Sequence, residues 1–182
     1  VTLYSGNCWE WIVSYYGILK TGAVVNPLNV MFTPNEVAYV ARDCGARAIV
    51  ASADKGAALL DIKKDTPLEQ VILFGAEVPA GAKAFEDLTG KGKDTFRSPG
   101  VETDALSTIC YTSGTTGHPK GAMLSHRNVL MNTALTAIMH RRTEHDTIVT
   151  ALPCAHVYGN VVMNGCFFYG GTLALIRRFE EI

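Results

Sequence analysis

Between Tyr111 and Gly121 the chain reads Tyr-Thr-Ser-Gly-Thr-Thr-Gly-His-Pro-Lys-Gly. From Ser113 onward this run holds Gly114, Gly117 and Gly121, the hydroxyls of Ser113, Thr115 and Thr116, and the ammonium of Lys120. Glycines let the backbone bend until successive amide hydrogens converge on one anion, and the hydroxyls and Lys120 add donors and a positive charge. Such a set suits a polyphosphate. It is not the common P-loop, because counting from Gly114 puts Pro119 where that pattern needs the glycine before its lysine. A strand rather than a helix is also expected after the loop. A glycine-rich hairpin turn would account for Gly114 and Gly117, but it has no use for three hydroxyls and a lysine set together. Composition favours phosphate binding and leaves the turn open.

The other chemistry-bearing residues are quieter. His118, His126, His140 and His145 have no metal-ligand spacing and read as surface or loop residues. His156, taken by spacing alone, is a satisfied histidine at a helix start. Cys8, Cys44, Cys110, Cys154 and Cys166 are odd in number, far apart and set in apolar surroundings, which is neither a disulfide framework nor a zinc pattern. Each reads as a small buried hydrophobe in a reducing compartment, the cytoplasm. Lys63, Lys64, Arg141 and Arg142 read as solvated helix ends, where carbonyls favour positive charge.

Alternating elements must position the loop. Asn7 is predicted to cap a helix with apolar positions Trp11, Ile12, Tyr15, Tyr16, Ile18 and Leu19, ended by Gly22. A short buried strand over residues 23–26 follows. Thr33-Pro34-Asn35-Glu36 combines a capping box with proline at the first helical position and opens a helix to Asp43. Strands are predicted at 48–51 and 70–74 around a helix at 55–64, an order that argues for a parallel sheet. Residues 90–100 turn to Gly, Lys, Asp, Ser and Pro, so the chain divides into a first α/β portion (1–90), an exposed connection (91–105) and a portion carrying the loop (106–182). In that last portion come a strand at 106–112, the loop, a strand at 121–124, a helix capped by Ser125 and running to about Arg142, a strand at 147–151, a helix at 157–168 and a strand at 172–176.

With 182 residues, 48% hydrophobic and 18% charged, the chain can bury a sizeable core. The net charge of -1, from 16 basic and 17 acidic residues without long runs of one sign, leaves no electrostatic footprint for nucleic acid or an anionic membrane. Residues 157–176 are apolar, but Asn160, Asn164 and Gly170-Gly171 divide them into pieces too short to span a bilayer, so no transmembrane segment is expected. Nothing near Val1 resembles a targeting peptide.

Tyr111 to Gly121 resembles the signature of the adenylate-forming superfamily of acyl-CoA synthetases, adenylation domains and firefly luciferase. Leu19-Lys-Thr-Gly-Ala-Val-Val-Asn-Pro-Leu28 resembles the superfamily's early Leu-Lys-x-Gly-Ala stretch, and Gly121-Ala-Met-Leu-Ser-His126 the segment after its phosphate loop. Leu152-Pro-Cys-Ala-His-Val-Tyr-Gly159 is similar to a later segment where a proline and a histidine lie beside the acyl pocket, with Cys154 and Ala155 replacing the usual larger apolar pair. The likeness covers essentially the whole chain.

That resemblance implies an α/β fold, a layered α/β/α arrangement on a mainly parallel sheet, as part of the large N-terminal domain of acyl-CoA synthetases. It implies a reaction in which a carboxylate attacks the α-phosphate of Mg2+-ATP to give an acyl-adenylate and pyrophosphate, after which coenzyme A, the co-substrate, displaces AMP. Donors and a cation placed beforehand stabilise the charge that grows on the phosphates. By resemblance, Thr112, Ser113, Gly114, Thr115, Thr116, Gly117 and Lys120 hold the phosphates, and His156 lies near the acyl group. The His-Val-Tyr-Gly segment looks most like that of fatty-acid–CoA ligases. An aryl- or short-acyl-activating relative and a non-catalytic nucleotide-binding relic are the alternatives. The superfamily's magnesium-binding acid, ribose aspartate, hinge and late lysine would lie beyond Ile182. The chain is therefore expected to be an internal fragment, without a complete catalytic set and inactive by itself. Uncovered strand edges and apolar faces lead to the expectation of a homo-oligomer.

Overall fold

A computed structural model describes residues 1–112 and 118–177. Its centre is a five-stranded sheet in the order β2-β1-β3-β4-β5, formed by β1 (Thr2–Tyr4), β2 (Asn26–Pro27), β3 (Ala48–Ser52), β4 (Gln70–Phe74) and β5 (Lys83–Ala84). Every pairing in it is parallel. Parallel strands need crossovers, and helices α1 (Trp9–Lys20), α2 (Pro34–Asp43) and α3 (Gly56–Ile62) supply the first three, a loop joining β4 to β5. A short helix α4 (Phe85–Gly90) follows β5.

Alternation along the strands divides the core into two layers. Tyr4, Ile49, Ala51, Val71 and Leu73 face one way and pack with Val37, Val40, Ala41 and Leu59 from α2 and α3. Leu3, Val50 and Phe74 face the other way and pack with Trp11, Tyr15 and Ile18 of α1. Both faces are thus covered, as in the layered α/β/α arrangement that the resemblance implied, on the parallel sheet expected from the order of elements. Each fully buried large apolar side chain contributes roughly 1.5–3 kcal/mol relative to exposure.

The hairpin of the loop-bearing portion meets this sheet beside β2. Strands β6 (Leu106–Thr112) and β7 (Lys120–Ser125) form an antiparallel hairpin. Val25 bridges to Thr108, with its N–H donating to the Ser107 carbonyl at 2.9 Å and its own carbonyl accepting from Ile109 N–H at 3.0 Å. Buried Asn26 reinforces the joint, its Nδ2 donating to the Ile109 carbonyl at 2.8 Å and its Oδ1 accepting from Thr2 Oγ1 at 3.1 Å. Helix α5 (His126–Met139) follows. A separate parallel pair, β8 (Thr147–Thr150) and β9 (Thr172–Leu175), is connected by α6 (Val157–Phe168).

Three sequence expectations change, and two short elements are added. The strand read at 23–26 is confined to Asn26–Pro27, because Val25 turns its backbone groups to β6 and Val24 offers its carbonyl to the Val1 ammonium. Asn7 does not cap α1: Cys8 occupies that position without a side-chain bond, and Asn7 is used elsewhere. Helix α5 ends at Met139, short of Arg142, where Arg141 takes a positive φ of 52°. The short β5 and α4 had no periodicity long enough to be read. Among the described residues, no helix is long and apolar enough to cross a membrane.

Candidate functional site

Strand β6 carries its hairpin partner in a register that pairs Tyr111 with Gly121 and Thr112 with Lys120. Thr112 and Lys120 therefore face each other as the exposed bases of the two stems. Gly121 is required by what lies over it. A Cβ there would come within 2.8 Å of Ile109 Cγ2 and 3.1 Å of Tyr111 Cζ, so the missing side chain makes room for the cross-strand tyrosine ring. The predicted phosphate ligands Ser113, Gly114, Thr115, Thr116 and Gly117 lie outside the described residues.

Helix α2 meets both stems. The Tyr111 hydroxyl donates to Asp43 Oδ2 from just before Thr112. His118, just after the loop, stacks on Tyr39 with ring centroids 5.0 Å apart and planes 20° apart. Burial, then the hydrogen bond to Asp43, pushes the Tyr111 phenol well above its ordinary range, so it stays protonated as a donor. Neither Tyr39 nor Asp43 was singled out in the sequence, since their partners stand far along the chain, 68 residues away for Asp43.

His156 stands on a different element, as the N-cap of α6, where its Nδ1 accepts from Tyr158 N–H at 3.3 Å. It is exposed, and its own N–H donates to the Pro153 carbonyl at 2.9 Å. The chain doubles back tightly here: a Cβ on Gly159 would lie 2.1 Å from the Pro153 oxygen, so only glycine lets α6 start against this turn. Asn7 fixes the turn to the main sheet. Its Nδ2 donates to the carbonyls of Leu152 at 3.0 Å and Ile176 at 3.2 Å, and its Oδ1 accepts from Cys154 N–H at 2.8 Å.

A cavity of about 370 Å³ lies between α1, α5 and α6, walled by Tyr16, Leu19, Leu130, Phe167 and Phe168, and His156 does not line it. Cys154, read as a buried hydrophobe, is buried and free, and burial raises its thiol to about 11, so it is no nucleophile at neutral pH. Across the two stems, Thr112 and Lys120 bring one hydroxyl and one ammonium to paired positions. Among the described residues, no group of three or more His, Cys, Asp or Glu could hold a metal ion.

Comparison with known proteins adds the family. The sequence model of a family described as AMP-binding enzyme matches residues 1–181. The crotonobetaine/carnitine–CoA ligase of Salmonella agona (strain SL483) is 29% identical over 186 residues, covering 99% of this chain and 36% of that protein. The crystal structure of ATP-bound MatB from Rhodopseudomonas palustris is 28% identical with a TM-score of 0.86, over 98% of this chain and 35% of that one. A long-chain-fatty-acid–CoA ligase from Archaeoglobus fulgidus, at 24% identity, has the same fold with a TM-score of 0.89, again over 98% and 35%. The chain thus spans about a third of the length of the relatives it matches.

Proposed function

Because the chain belongs to the AMP-binding enzyme family, we propose that it supplies the phosphate-holding part of an ATP-dependent acyl-CoA synthetase. The observation that carries this reading is the pairing of Thr112 with Lys120 across a Ser-Gly-Thr-Thr-Gly-His-Pro segment, which sets one hydroxyl and one ammonium at the mouth of the loop. Ser113, Gly114, Thr115, Thr116 and Gly117 then provide amides and hydroxyls to the triphosphate, and Lys120 offsets charge that grows as pyrophosphate leaves. Magnesium accompanies the ATP. His156, exposed at the N-cap of α6, is the residue assigned to the acyl side.

The substrate is proposed to be a fatty acid, activated as acyl-AMP and passed to coenzyme A, on the likeness of the His-Val-Tyr-Gly segment to that of fatty-acid–CoA ligases. A smaller or aryl acid is the second reading. It is favoured by the crotonobetaine/carnitine–CoA ligase among the relatives and by the small Cys154-Ala155 pair before the histidine.

Calorimetry with Mg2+-ATP on this chain and on Lys120→Ala tests the phosphate reading. Binding is expected for the first, and a roughly tenfold or greater loss for the second, since a charge-assisted contact is worth about 1.5–3 kcal/mol. Equal affinities would contradict it. Fatty, aryl and short acids compared by pyrophosphate release from the full-length parent enzyme separate the two substrate readings. Pyrophosphate release by the 182-residue chain alone is expected to show no substrate-dependent turnover.

A further inference from the structure

We propose that Tyr39 and Asp43 of α2 are positioning residues for the phosphate loop, holding both of its stems at once; the role rests on the phosphate-binding reading above. The two residues are four apart on a helix, so their side chains share one face. That face reaches the hairpin on both sides of the loop: Asp43 accepts from Tyr111, which leads into Thr112, and Tyr39 stacks on His118, which follows Gly117.

The hairpin needs such support. Its backbone joins the main sheet at Val25–Thr108 and through the Asn26 side chain at Ile109. Thr112 lies three residues beyond Ile109, roughly 10 Å further along an extended strand. An antiparallel pair is marginally stable by itself, so a tip held only by its own ladder frays readily. Helix α2 is a firm support, because Val37, Val40 and Ala41 are fully buried in the core. Its start is locked by a capping box in which Thr33 accepts from Glu36 N–H while Glu36 accepts from Thr33 N–H. The protonated Tyr111 phenol keeps the bond to Asp43 directional. Neither side chain is placed against phosphate. The pair acts by fixing where Thr112 and Lys120 stand, and preset geometry of that kind reduces the ordering cost of binding.

The test compares the wild-type chain with Y39A/D43A and with Y39F, which keeps the ring for stacking. Amide hydrogen exchange reads the hairpin, and calorimetry reads the Kd for Mg2+-ATP. In Y39A/D43A, exchange at Thr112 and Lys120 is expected to quicken about tenfold while Ile109 is unchanged. The Kd is expected to rise about tenfold, with Y39F close to wild type in both. Unchanged exchange at the tip in Y39A/D43A overturns the proposal, and so does a loosened tip with an unaltered Kd. A wild-type chain that binds no Mg2+-ATP sinks the phosphate-binding reading itself, and the positioning role with it.

Discussion

A Cβ on Gly159 would stand 2.1 Å from the Pro153 oxygen and 2.7 Å from its carbonyl carbon, both backbone atoms of a turn held by Asn7. Gly159→Ala must therefore move the turn or the first turn of α6. We expect a loss of about 3 kcal/mol in urea unfolding, at the upper end for a single substitution. At Gly121 the neighbours are side chains, Ile109 Cγ2 at 2.8 Å and Tyr111 Cζ at 3.1 Å. The ring can swing aside at the cost of its bond to Asp43, so Gly121→Ala should lose about 1 kcal/mol. Loss of equal size at the two positions would contradict this ranking. Gly121 was read in the sequence as part of a phosphate loop; in the structure its glycine is explained by packing against Ile109 and Tyr111. Residue types in a short run announce their chemistry; what passes over them from another strand does not.

Asn7 ties the main sheet to the second half of the chain, spending one amide group on three backbone partners from residues 152, 154 and 176. Asn7→Ala leaves the buried Cys154 N–H without a partner and frees two carbonyls. A buried orphan group costs about 1–3 kcal/mol, so about 3 kcal/mol in all is expected, with faster exchange across β8 and β9 as the specific sign. A drop in stability without that local loosening would mean that Asn7 serves only its own turn. The sequence reading of Asn7 as a helix cap was reasonable and wrong for a physical reason: an asparagine before a helix can satisfy the first amides or reach outward, and only the tertiary partner decides. Where the partner is local the elements were legible. Thr33 and Ser125 were both read as caps, and both form capping boxes, with Glu36 and Asn128. The parallel sheet followed from the alternation of helices and strands, whereas a two-residue β5 and a six-residue α4 have no period to read.

At the scale of the whole molecule, burial raises all five thiols and the phenols of Tyr4, Tyr15, Tyr16 and Tyr111. An acid whose folded value lies above its unfolded one holds its proton longer in the native state, so the unfolded chain binds fewer protons as pH rises. The stability of this chain should be fully present below about pH 9 and fall as pH rises toward about 11, the folded value of Cys154. Urea midpoints at pH 7.5, 9 and 10.5 measure it, and a flat profile would be the contrary result. The surface points to a second whole-molecule property. Helix α5 is built inside out: it buries Thr133 and Ala137 while Met131, Leu135, Ile138 and Met139 are 50%, 61%, 63% and 70% exposed. Met131, Leu135 and Ile138 recur at helical spacing, so they form one apolar stripe rather than scattered residues. Removing that stripe from water favours association, and we expect the isolated chain to form homo-oligomers through it, increasingly with concentration. Leu135→Lys with Ile138→Lys places two charges on the stripe without touching the buried face, and should shift the population to monomer in light scattering while leaving the thermal midpoint nearly unchanged. A wild-type chain that is monomeric at high concentration would contradict the expectation, and oligomers that persist in the double lysine variant would move the interface elsewhere on the molecule.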